Sequence, residues 1–266
     1  MRALRVPLNA LRAAIEFVGG MGYLFLDTLG AVRPGLLGHK GRRLGWANVW
    51  AQMVRVGVRA IPIVALVLFC IGAILSFQMV PILRNYGIQS QIADIIAIAV
   101  CREIGPLVAA IVLTGFAGAS IAAEIGTMVV SEEIEALEAM AIPPVRFLVL
   151  PRFFATVVMT ICLTVVGDLV GMGGGLVVSA SALGINPDLY MSRTFDMLQL
   201  KDFLTGLVKA GVFGGIISLL ACYLGLAVTG GAQGVGRATT RTVVLTIVML
   251  IFVDLLFTTT FYVLDL

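Results

Sequence analysis

Long apolar segments constrain this chain more than any other feature of its sequence. Such segments lie at about 60–83, 153–181, 203–228 and 242–263, and a further one begins near Ile92. A helix needs roughly 20 predominantly apolar residues to cross the hydrocarbon core of a bilayer. The segments lack the alternating pattern of a membrane β-barrel. We therefore predict an all-α integral membrane protein with about five transmembrane helices.

The composition excludes a soluble domain. Hydrophobic residues make up 60% of the 266 residues and charged residues only 12%, whereas soluble domains carry about 25% charge. The sequence shows no internal repeat and no low-complexity linker. We expect one transmembrane domain over 46–266, preceded by an N-terminal region over 1–45.

Apolar residues at helical spacing are the main feature of the N-terminal region, and they are Leu4, Leu8, Leu11, Ile15 and Val18. They predict an amphipathic helix over about 3–18 that lies in the cytoplasmic membrane interface. A helix packed on another subunit is the alternative. A short apolar stretch at 21–32 then ends at Arg33-Pro34, and a basic loop follows at Lys40 to Arg43.

Basic residues are concentrated before the first predicted span: Arg2, Arg5, Arg12, Arg33, Lys40, Arg42, Arg43, Arg55 and Arg59. Cytoplasmic flanks of membrane helices are enriched in lysine and arginine. We therefore expect a cytoplasmic N-terminus and, after five crossings, a C-terminus on the outer side.

Five ionisable residues fall inside the predicted spans: Arg102, Glu103, Asp168, Lys209 and Asp254. Each costs at least ~2.5–3.5 kcal/mol at mid-membrane unless it is paired or hydrated. Each is therefore a candidate functional residue or a member of a packing ion pair between spans. Arg102 and Glu103 are consecutive, so on a helix their side chains point about 100° apart. Each of these two needs its own partner, a water or a polar ligand head.

The second predicted span runs from Ile92 to about Ala123 and is interrupted by Arg102, Glu103 and Pro106. About thirty helical residues extend about 45 Å, which exceeds the roughly 30 Å hydrocarbon core. We expect this helix to be kinked, tilted or extended beyond the membrane.

The third and fourth spans contain glycines four residues apart, a spacing that predicts close helix packing. These glycines are Gly167, Gly171, Gly175, Gly211 and Gly215.

A short acidic segment separates the second and third spans and predicts a cytoplasmic helix at about 131–142. Ser131 is a favourable N-cap residue, acidic residues after it suit the positive end of the helix dipole, and Pro143-Pro144 ends the helix. Its apolar positions, which share one face, are Ile134, Leu137 and Ala141. Such a helix either covers the bundle or docks into a groove of a partner.

The sequence lacks the residues of an ATPase or a hydrolase. A P-loop needs a Gly-Lys pair, and none of Lys40, Lys201 and Lys209 follows a glycine. The only histidine is His39, in the basic loop, and the four cysteines are far apart. We therefore expect free thiols, no metal site and no catalytic residue. Any ATP-driven activity then requires a separate chain.

Several motifs resemble those of the MlaE-type permease family of lipid ABC transporters. They are Arg102-Glu103-Ile104-Gly105-Pro106, Ala117-Gly118-Ala119-Ser120, Ala123-Glu124-Ile125-Gly126-Thr127-Met128, Pro151-Arg152-Phe153 and Gly236-Arg237-Ala238-Thr239-Thr240-Arg241-Thr242-Val243-Val244. The similarity covers most of the chain from about residue 45 onward. It implies a multi-pass permease of the bacterial inner membrane that pairs with a second copy. It also implies two cytoplasmic ATPase subunits that bind ATP and Mg²⁺, a periplasmic ring of MCE-domain proteins, and phospholipid as the substrate, with no role for nucleic acid.

The resemblance further implies roles for individual residues. Arg102 and Glu103 match the family's charged pair near the lipid cavity. The remaining residues implied to line that cavity are Leu75, Gln78, Met79 and Leu83. The residues implied to couple the permease to its ATPase are Glu132, Glu133, Ile134, Glu135, Leu137, Glu138 and Met140. One departure is Gly115-Phe116-Ala117-Gly118, where a relative has Gly-Arg-Ala-Gly.

Three hypotheses for function follow. The leading one is a permease subunit that moves phospholipid between the inner membrane and a periplasmic carrier, with ATP hydrolysed by its partner. The alternative is a proton-coupled secondary transporter that uses Asp168, Lys209 and Asp254 as a relay, although the sequence lacks the inverted repeat of many such transporters. A structural membrane anchor is the third.

The sequence also predicts that Arg237 and Arg241 lie in a Gly-rich cytoplasmic loop before the last span.

Overall fold

A computed structural model describes residues 2–37, 46–87 and 91–264 of the chain. Within these ranges the backbone is helical apart from short turns, which confirms the predicted all-α class. The α-helices are α1 (Arg2–Leu37), α2 (Trp46–Val56), α3 (Ile61–Asn85), α4 (Ile92–Ala99), α5 (Gly105–Leu113), α6 (Ala119–Val130), α7 (Glu133–Ala139), α8 (Leu150–Leu183), α9 (Pro187–Met197), α10 (Leu200–Leu226) and α11 (Gly231–Val263). A short 3₁₀-helix and three π-helical segments lie between them, at Val58–Ala60, Val100–Ile104, Thr114–Gly118 and Val145–Val149.

Six helical segments are long and apolar enough to cross a membrane: Ile15–Val32, Trp46–Leu83, Ile92–Val130, Val145–Ala182, Leu200–Leu226 and Gly231–Val263. Five of them coincide with the predicted spans to within a few residues at the ends that the apolar segments define, or extend beyond those segments. The sixth, Ile15–Val32, belongs to α1, and only 11% of it is buried within the fold. The sequence placed residues 3–18 in the membrane interface, and the length and composition of Ile15–Val32 also suit a crossing.

The helix α1 is continuous, whereas the sequence predicted two separate stretches that end at Arg33-Pro34. It extends to Leu37. Gly20 serves packing, because a Cβ there would collide with the Tyr223 ring of α10. Phe17 meets the same ring edge-on at 5.3 Å between centroids. The predicted basic loop with His39, and the side chains of the proposed amphipathic face from Leu4 to Leu11, lie outside the described residues.

The helices on both sides of the connection between the second and third spans extend beyond the predicted apolar segments. The helix α6 continues past Glu124 to Val130, and the next helical segment begins at Val145. Glu124 Oε1 lies 2.8 Å from Arg55 Nη1 and 3.3 Å from Arg152 Nη2. Because its charge is compensated by other helices, Glu124 does not end the helix, which continues to Val130.

The predicted loop position of Arg237 and Arg241 is wrong. Both residues lie on exposed turns of α11, which begins at Gly231. Gly230 and Gly231 both have positive φ, at 88° and 66°, a conformation that glycine adopts without steric cost. These two glycines complete the turn, so the helix starts about ten residues earlier than the apolar run indicated.

The second span is one helical path of 39 residues, from Ile92 to Val130, or about 58 Å at 1.5 Å per residue. Of the predicted alternatives, it is therefore extended beyond the roughly 30 Å hydrocarbon core. Two π-helical segments interrupt it, one holding Arg102 and Glu103 and the other holding Phe116. A π turn accommodates an extra residue in a helix and frequently marks a functional position.

Glycines bring α3 and α8 into close contact. A Cβ at Gly72 would collide with the carbonyl group of Gly171, and one at Gly174 would collide with the carbonyl group of Phe69. Gly167 lies against the Leu68 side chain in the same way. The small residues of the third span therefore act in helix packing, as their spacing predicted.

The helix α7 is shorter than predicted, and Ser131 does not cap it. Its N-cap is Glu132, which has left-handed backbone geometry with φ of 60°. Ser131 instead ends α6, where its hydroxyl donates to the Thr127 carbonyl at 3.0 Å. The N-cap prediction is wrong because a carbonyl at the end of the preceding helix competes for the same hydroxyl.

The two faces of α7 differ as the sequence indicated. Ile134 and Leu137 are half-buried, and Ile134 packs against the main hydrophobic core. The glutamates and Met140 are exposed. Ala141, predicted on the apolar face, is exposed and has φ of 57°. The helix therefore contacts the core through Ile134 and presents its acidic side outward.

Candidate functional site

Lys209 of α10 lies at the centre of an ion network that joins three helical segments. Its Nζ donates to Glu103 Oε2 at 2.6 Å and to Thr258 Oγ1 at 2.9 Å. The same nitrogen forms an ion pair with Asp254 Oδ1 at 2.9 Å. Thr258 Oγ1 in turn donates to Glu103 Oε1 at 2.7 Å. We call these four residues the Lys209 network.

Burial differs across the Lys209 network. The Lys209 side chain is 1% exposed and that of Asp254 is 14% exposed, whereas Glu103 is 36% exposed. A buried ammonium group is stable only when its charge is compensated and its donors are satisfied. One ammonium here serves two carboxylates, so the formal charge of the network is negative. The exposed side of the network, which we call its polar opening, is formed by Glu103 and by Thr258 of α11.

The Lys209 network lies at hydrocarbon depth. Glu103, Lys209 and Asp254 each lie about 9 to 11 residues from the end of their helical segment that is remote from α7. At 1.5 Å per residue this is about 14–17 Å, near the middle of a roughly 30 Å core. The three residues are far apart in sequence, yet their depths agree.

A close helix contact brings these groups together. A Cβ at Gly206 of α10 would collide with the Cys101 carbonyl, within the π-helical segment that also contains Glu103. The backbone of α10 therefore passes directly against this segment, one turn before Lys209. A larger residue at position 206 would separate Lys209 from Glu103.

Arg102 and Glu103 have different partners, as their positions on the helix indicated. Arg102 Nη1 lies 3.3 Å from Asp202 Oδ1, close to the start of α10. The other carboxylate oxygen of Asp202 accepts from the backbone N–H of Gln199 at 3.2 Å and so caps that helix. The Arg102 side chain is one-third exposed. It therefore combines a structural ion pair with a surface on which a ligand could bind.

Asp168 does not join the Lys209 network. Its Oδ1 packs against Gly105, where an added Cβ would collide with it. This oxygen is buried and has no hydrogen-bond partner among the described residues. Lys209 and Asp254 do lie together, but the three residues of the predicted proton relay form no continuous hydrogen-bonded chain in the described part of the structure.

The predicted lining residues of the first span lie beside the second span. Leu83 is buried with Ile92, Ile96 and Val100, and both Leu75 and Met79 pack against that cluster. Gln78 is exposed on the outside of α3. The second-span residues of that cluster, Ile92, Ile96 and Val100, precede Arg102 by two to ten residues. Their role in lining a lipid cavity stays a prediction.

Sequence reasoning missed two partners in the site, although spacing signals point to both. Asp202 follows Gln199 by three residues, the spacing of a capping box. Thr258 follows Asp254 by four residues, so both lie on one face of a helix. Neither signal indicates which residue of another helix Asp202 or Thr258 contacts, because that depends on tertiary packing.

The helix α9 closes the end of the molecule that is remote from α7. The Asn186 side chain accepts from the Asp188 backbone N–H at 2.9 Å and caps it. Tyr190 is buried over Gly175 of α8, and this burial raises the pKa of Tyr190 to about 12. Arg193 lies 4.0 Å from Asp94 of α4. The polar connection after the third span is therefore an ordered helix.

The fold and the site define a class. This is a multi-pass α-helical membrane protein that keeps ionisable residues at hydrocarbon depth, a property of proteins that move ions or substrates across or out of membranes. The family model described as Permease MlaE matches residues 49–260. The chain belongs to the MlaE permease family.

Individual relatives agree with this assignment. The chain is 39% identical over 263 residues to a probable ABC transporter permease protein of Rickettsia felis, covering 97% of this chain and 98% of that protein. It is 37% identical over 212 residues to a probable ABC transporter permease protein of Synechocystis, covering 80% of each. It is 29% identical over 238 residues to the intermembrane phospholipid transport system permease protein MlaE of Haemophilus influenzae, covering 86% of this chain and 91% of that protein.

Proposed function

We propose that this chain is the membrane-spanning subunit of an ABC transporter that moves phospholipid between the bacterial inner membrane and a periplasmic MCE-domain carrier. Two copies of the chain form the pathway, and two cytoplasmic ATPase subunits, which bind ATP and Mg²⁺, supply the energy. The names of the Rickettsia felis and Haemophilus influenzae relatives support the transporter class and the phospholipid cargo.

The observation that carries this proposal is the partial exposure of the Lys209 network in a single chain. Glu103 is 36% exposed near mid-membrane, where a carboxylate in contact with lipid is costly. Ionisable residues at this depth face protein or a water-filled cavity. A second copy packed over this side would enclose the network in a cavity with a polar wall.

The exposed face of α11 supports the same arrangement. Residues that are exposed on this helix in the single chain include Val244, Val248, Ile251 and Leu255. They continue along the helix from the opening of the Lys209 network toward the end that carries α7. Acyl chains would pack on such apolar residues, and the phosphate headgroup would interact with Arg102, whose planar guanidinium suits phosphate oxygens.

The helix α7 is positioned to connect this pathway to an ATPase. Its exposed acidic side is free for a partner, while Ile134 connects it to the core that includes the second span. Movement of α7 on ATP binding would therefore shift α6, which belongs to the same helical path as Glu103. The ATPase would in this way open or compress the lipid cavity.

The test is reconstitution of the chain with its ATPase in lipid vesicles, with measurement of lipid-stimulated ATP hydrolysis and lipid transfer. Asp254→Asn removes one carboxylate of the Lys209 network, and transfer should fall about tenfold, since one charged hydrogen-bonded contact contributes roughly 1.5–3 kcal/mol. Asp188→Asn makes the same chemical change on exposed α9, and transfer should be unchanged. Equal transfer by the Asp254→Asn variant and the unmodified protein would refute the assigned role of the network.

A further inference from the structure

A small polar pocket lies at the end of the molecule that carries α7, well away from the Lys209 network. It has a volume of about 210 Å³, and its polar and aromatic lining consists of Gln52, Arg55, Arg59, Phe116, Ser120 and Glu124. We call it the elbow pocket, because it lies where α2 turns into α3. Its volume is below the 300–1,000 Å³ typical of sites for whole drug-sized ligands, so it suits a compact group.

Two irregular backbone segments build the elbow pocket. The 3₁₀ segment Val58–Ala60 follows Gly57, where an added Cβ would collide with Met159 of α8. The elbow is therefore held against α8, and it places the last turn of α2 and Arg59 beside the second span. On the opposite wall, the π-helical segment Thr114–Gly118 carries Phe116 into the lining.

The charge of the elbow pocket favours an anion. Glu124 is compensated by Arg152, which is buried, through a contact of 3.3 Å between Arg152 Nη2 and Glu124 Oε1. The same oxygen accepts from Arg55 Nη1 at 2.8 Å. Arg59 has no ion-pair partner in the described part of the chain. Two guanidinium groups and one carboxylate line the pocket, and because Arg152 also compensates Glu124, the lining is positive overall.

The pocket also offers an uncharged polar group. The side-chain oxygen of Gln52 is buried without a hydrogen-bond partner among the described residues. A buried acceptor in this state gains from a ligand that donates a hydrogen bond. A hydroxyl or ammonium group on a headgroup would supply that donor, and phosphate oxygens would bind the planar fork of an arginine.

The elbow pocket lies at the depth of lipid headgroups. The helix α3 has 25 residues and is therefore about 37 Å long, which is enough to cross the roughly 30 Å hydrocarbon core. Arg59 lies two residues before its first residue, Ile61, so it lies at the membrane surface. Trp46 and Trp50 of α2 are exposed nearby along the chain, as expected for an aromatic belt at this level.

We propose that the elbow pocket binds the phosphate-bearing headgroup of an anionic membrane lipid, with Arg59 and Arg55 on the phosphate and Gln52 on a headgroup donor. This site is separate from the Lys209 network. It does not depend on the proposed transport function, because binding can be measured without the ATPase or a carrier.

The test uses the purified full chain equilibrated in mixed micelles that contain equal amounts of phosphatidylglycerol and phosphatidylcholine, with retained lipid counted by native mass spectrometry. The unmodified protein should prefer phosphatidylglycerol about tenfold, as expected for one or two charged contacts. Arg59→Gln should reduce this preference about fivefold. Because Arg59 has no ion-pair partner in the described part of the chain, this variant should fold normally.

Lys201→Gln is the matched control. It also removes one exposed positive charge, but it lies at the start of α10, at the opposite end of the molecule. Its lipid preference should equal that of the unmodified protein. If Arg59→Gln and Lys201→Gln retain equal phosphatidylglycerol, the proposal is wrong.

A second arm separates a lipid headgroup from a free anion. Inorganic phosphate is added to the protein in phosphatidylcholine nanodiscs, and thermal unfolding is followed with and without phosphatidylglycerol. Stabilisation by phosphatidylglycerol that inorganic phosphate does not reproduce supports the lipid site. If inorganic phosphate alone stabilises the protein equally, and Arg59→Gln abolishes that effect, the ligand is a free anion and the lipid assignment fails.

Discussion

Arg102 and Glu103 are adjacent in the chain, yet their side chains bind residues two helical turns apart on α10, namely Asp202 and Lys209. The second span is thus fastened to α10 at two depths, once near the start of that helix and once near mid-membrane. The contact at Asp202 also includes the cap of α10. A change in either contact therefore shifts α10 relative to the π-helical segment that holds both charged residues.

Removal of the central cation should destabilise the fold. Lys209→Met leaves Glu103 and Asp254 without their shared counterion, and loss of one partner of a buried ion pair costs roughly 3–5 kcal/mol. Because Glu103 is partly exposed, we expect the lower end of this range. Thermal unfolding in detergent, followed by intrinsic fluorescence, should show a clear fall in Tm.

The double variant K209M/D254N provides the control for that experiment. It leaves one partly exposed carboxylate in place of two carboxylates that repel each other, so part of the lost stability should return. A Tm for Lys209→Met equal to that of the unmodified protein would show that Lys209 is not the centre of an ion network.

The sequence predicted the class of fold because span length and apolar character are local properties. It identified all three charged members of the Lys209 network as costly residues, and it predicted that Arg102 and Glu103 have separate partners. It could not pair Lys209 with Glu103, which is 106 residues away, because that contact depends on the close approach of α10 at Gly206. The start of α11 was mispredicted at Arg237, since a charged residue exposed on a helical turn does not end a helix.

Two adjacent glycines of α8 should respond differently to the same substitution. Gly174→Ala places a methyl group against the backbone carbonyl of Phe69, which cannot rotate away, whereas no atom lies near a Cβ at Gly173. Overpacking of this kind costs roughly 1–3 kcal/mol. The Gly174→Ala variant should have a lower Tm and a lower yield of monodisperse protein, and Gly173→Ala should match the unmodified protein. Equal behaviour of both variants would contradict the close packing of α3 and α8.

Substitution of alanine by glycine should have opposite effects on the stability of α7 at two positions, just after the helix and in its middle. Ala141 has φ of 57°, so Ala141→Gly relieves a left-handed alanine and should stabilise the local structure by about 0.5–1 kcal/mol. Ala136 lies within the helix and is exposed, so Ala136→Gly should cost a similar amount. Amide hydrogen exchange of α7 measures both effects, with slower exchange for the first variant and faster exchange for the second. Faster exchange in both would show that position 141 is not left-handed.

The exposed and half-buried faces of α7 should separate partner binding from folding. Glu138→Lys reverses an exposed charge, so the stability of the chain alone should change by less than about 0.5 kcal/mol, while co-purification with the proposed ATPase should fall. Ile134→Asp places a carboxylate against the core and should lower both the Tm and ATPase binding. Lys201→Glu, a charge reversal at the opposite end, should alter neither. Undiminished ATPase binding by Glu138→Lys, measured with the Lys201→Glu control beside it, would remove the acidic face of α7 from the interface.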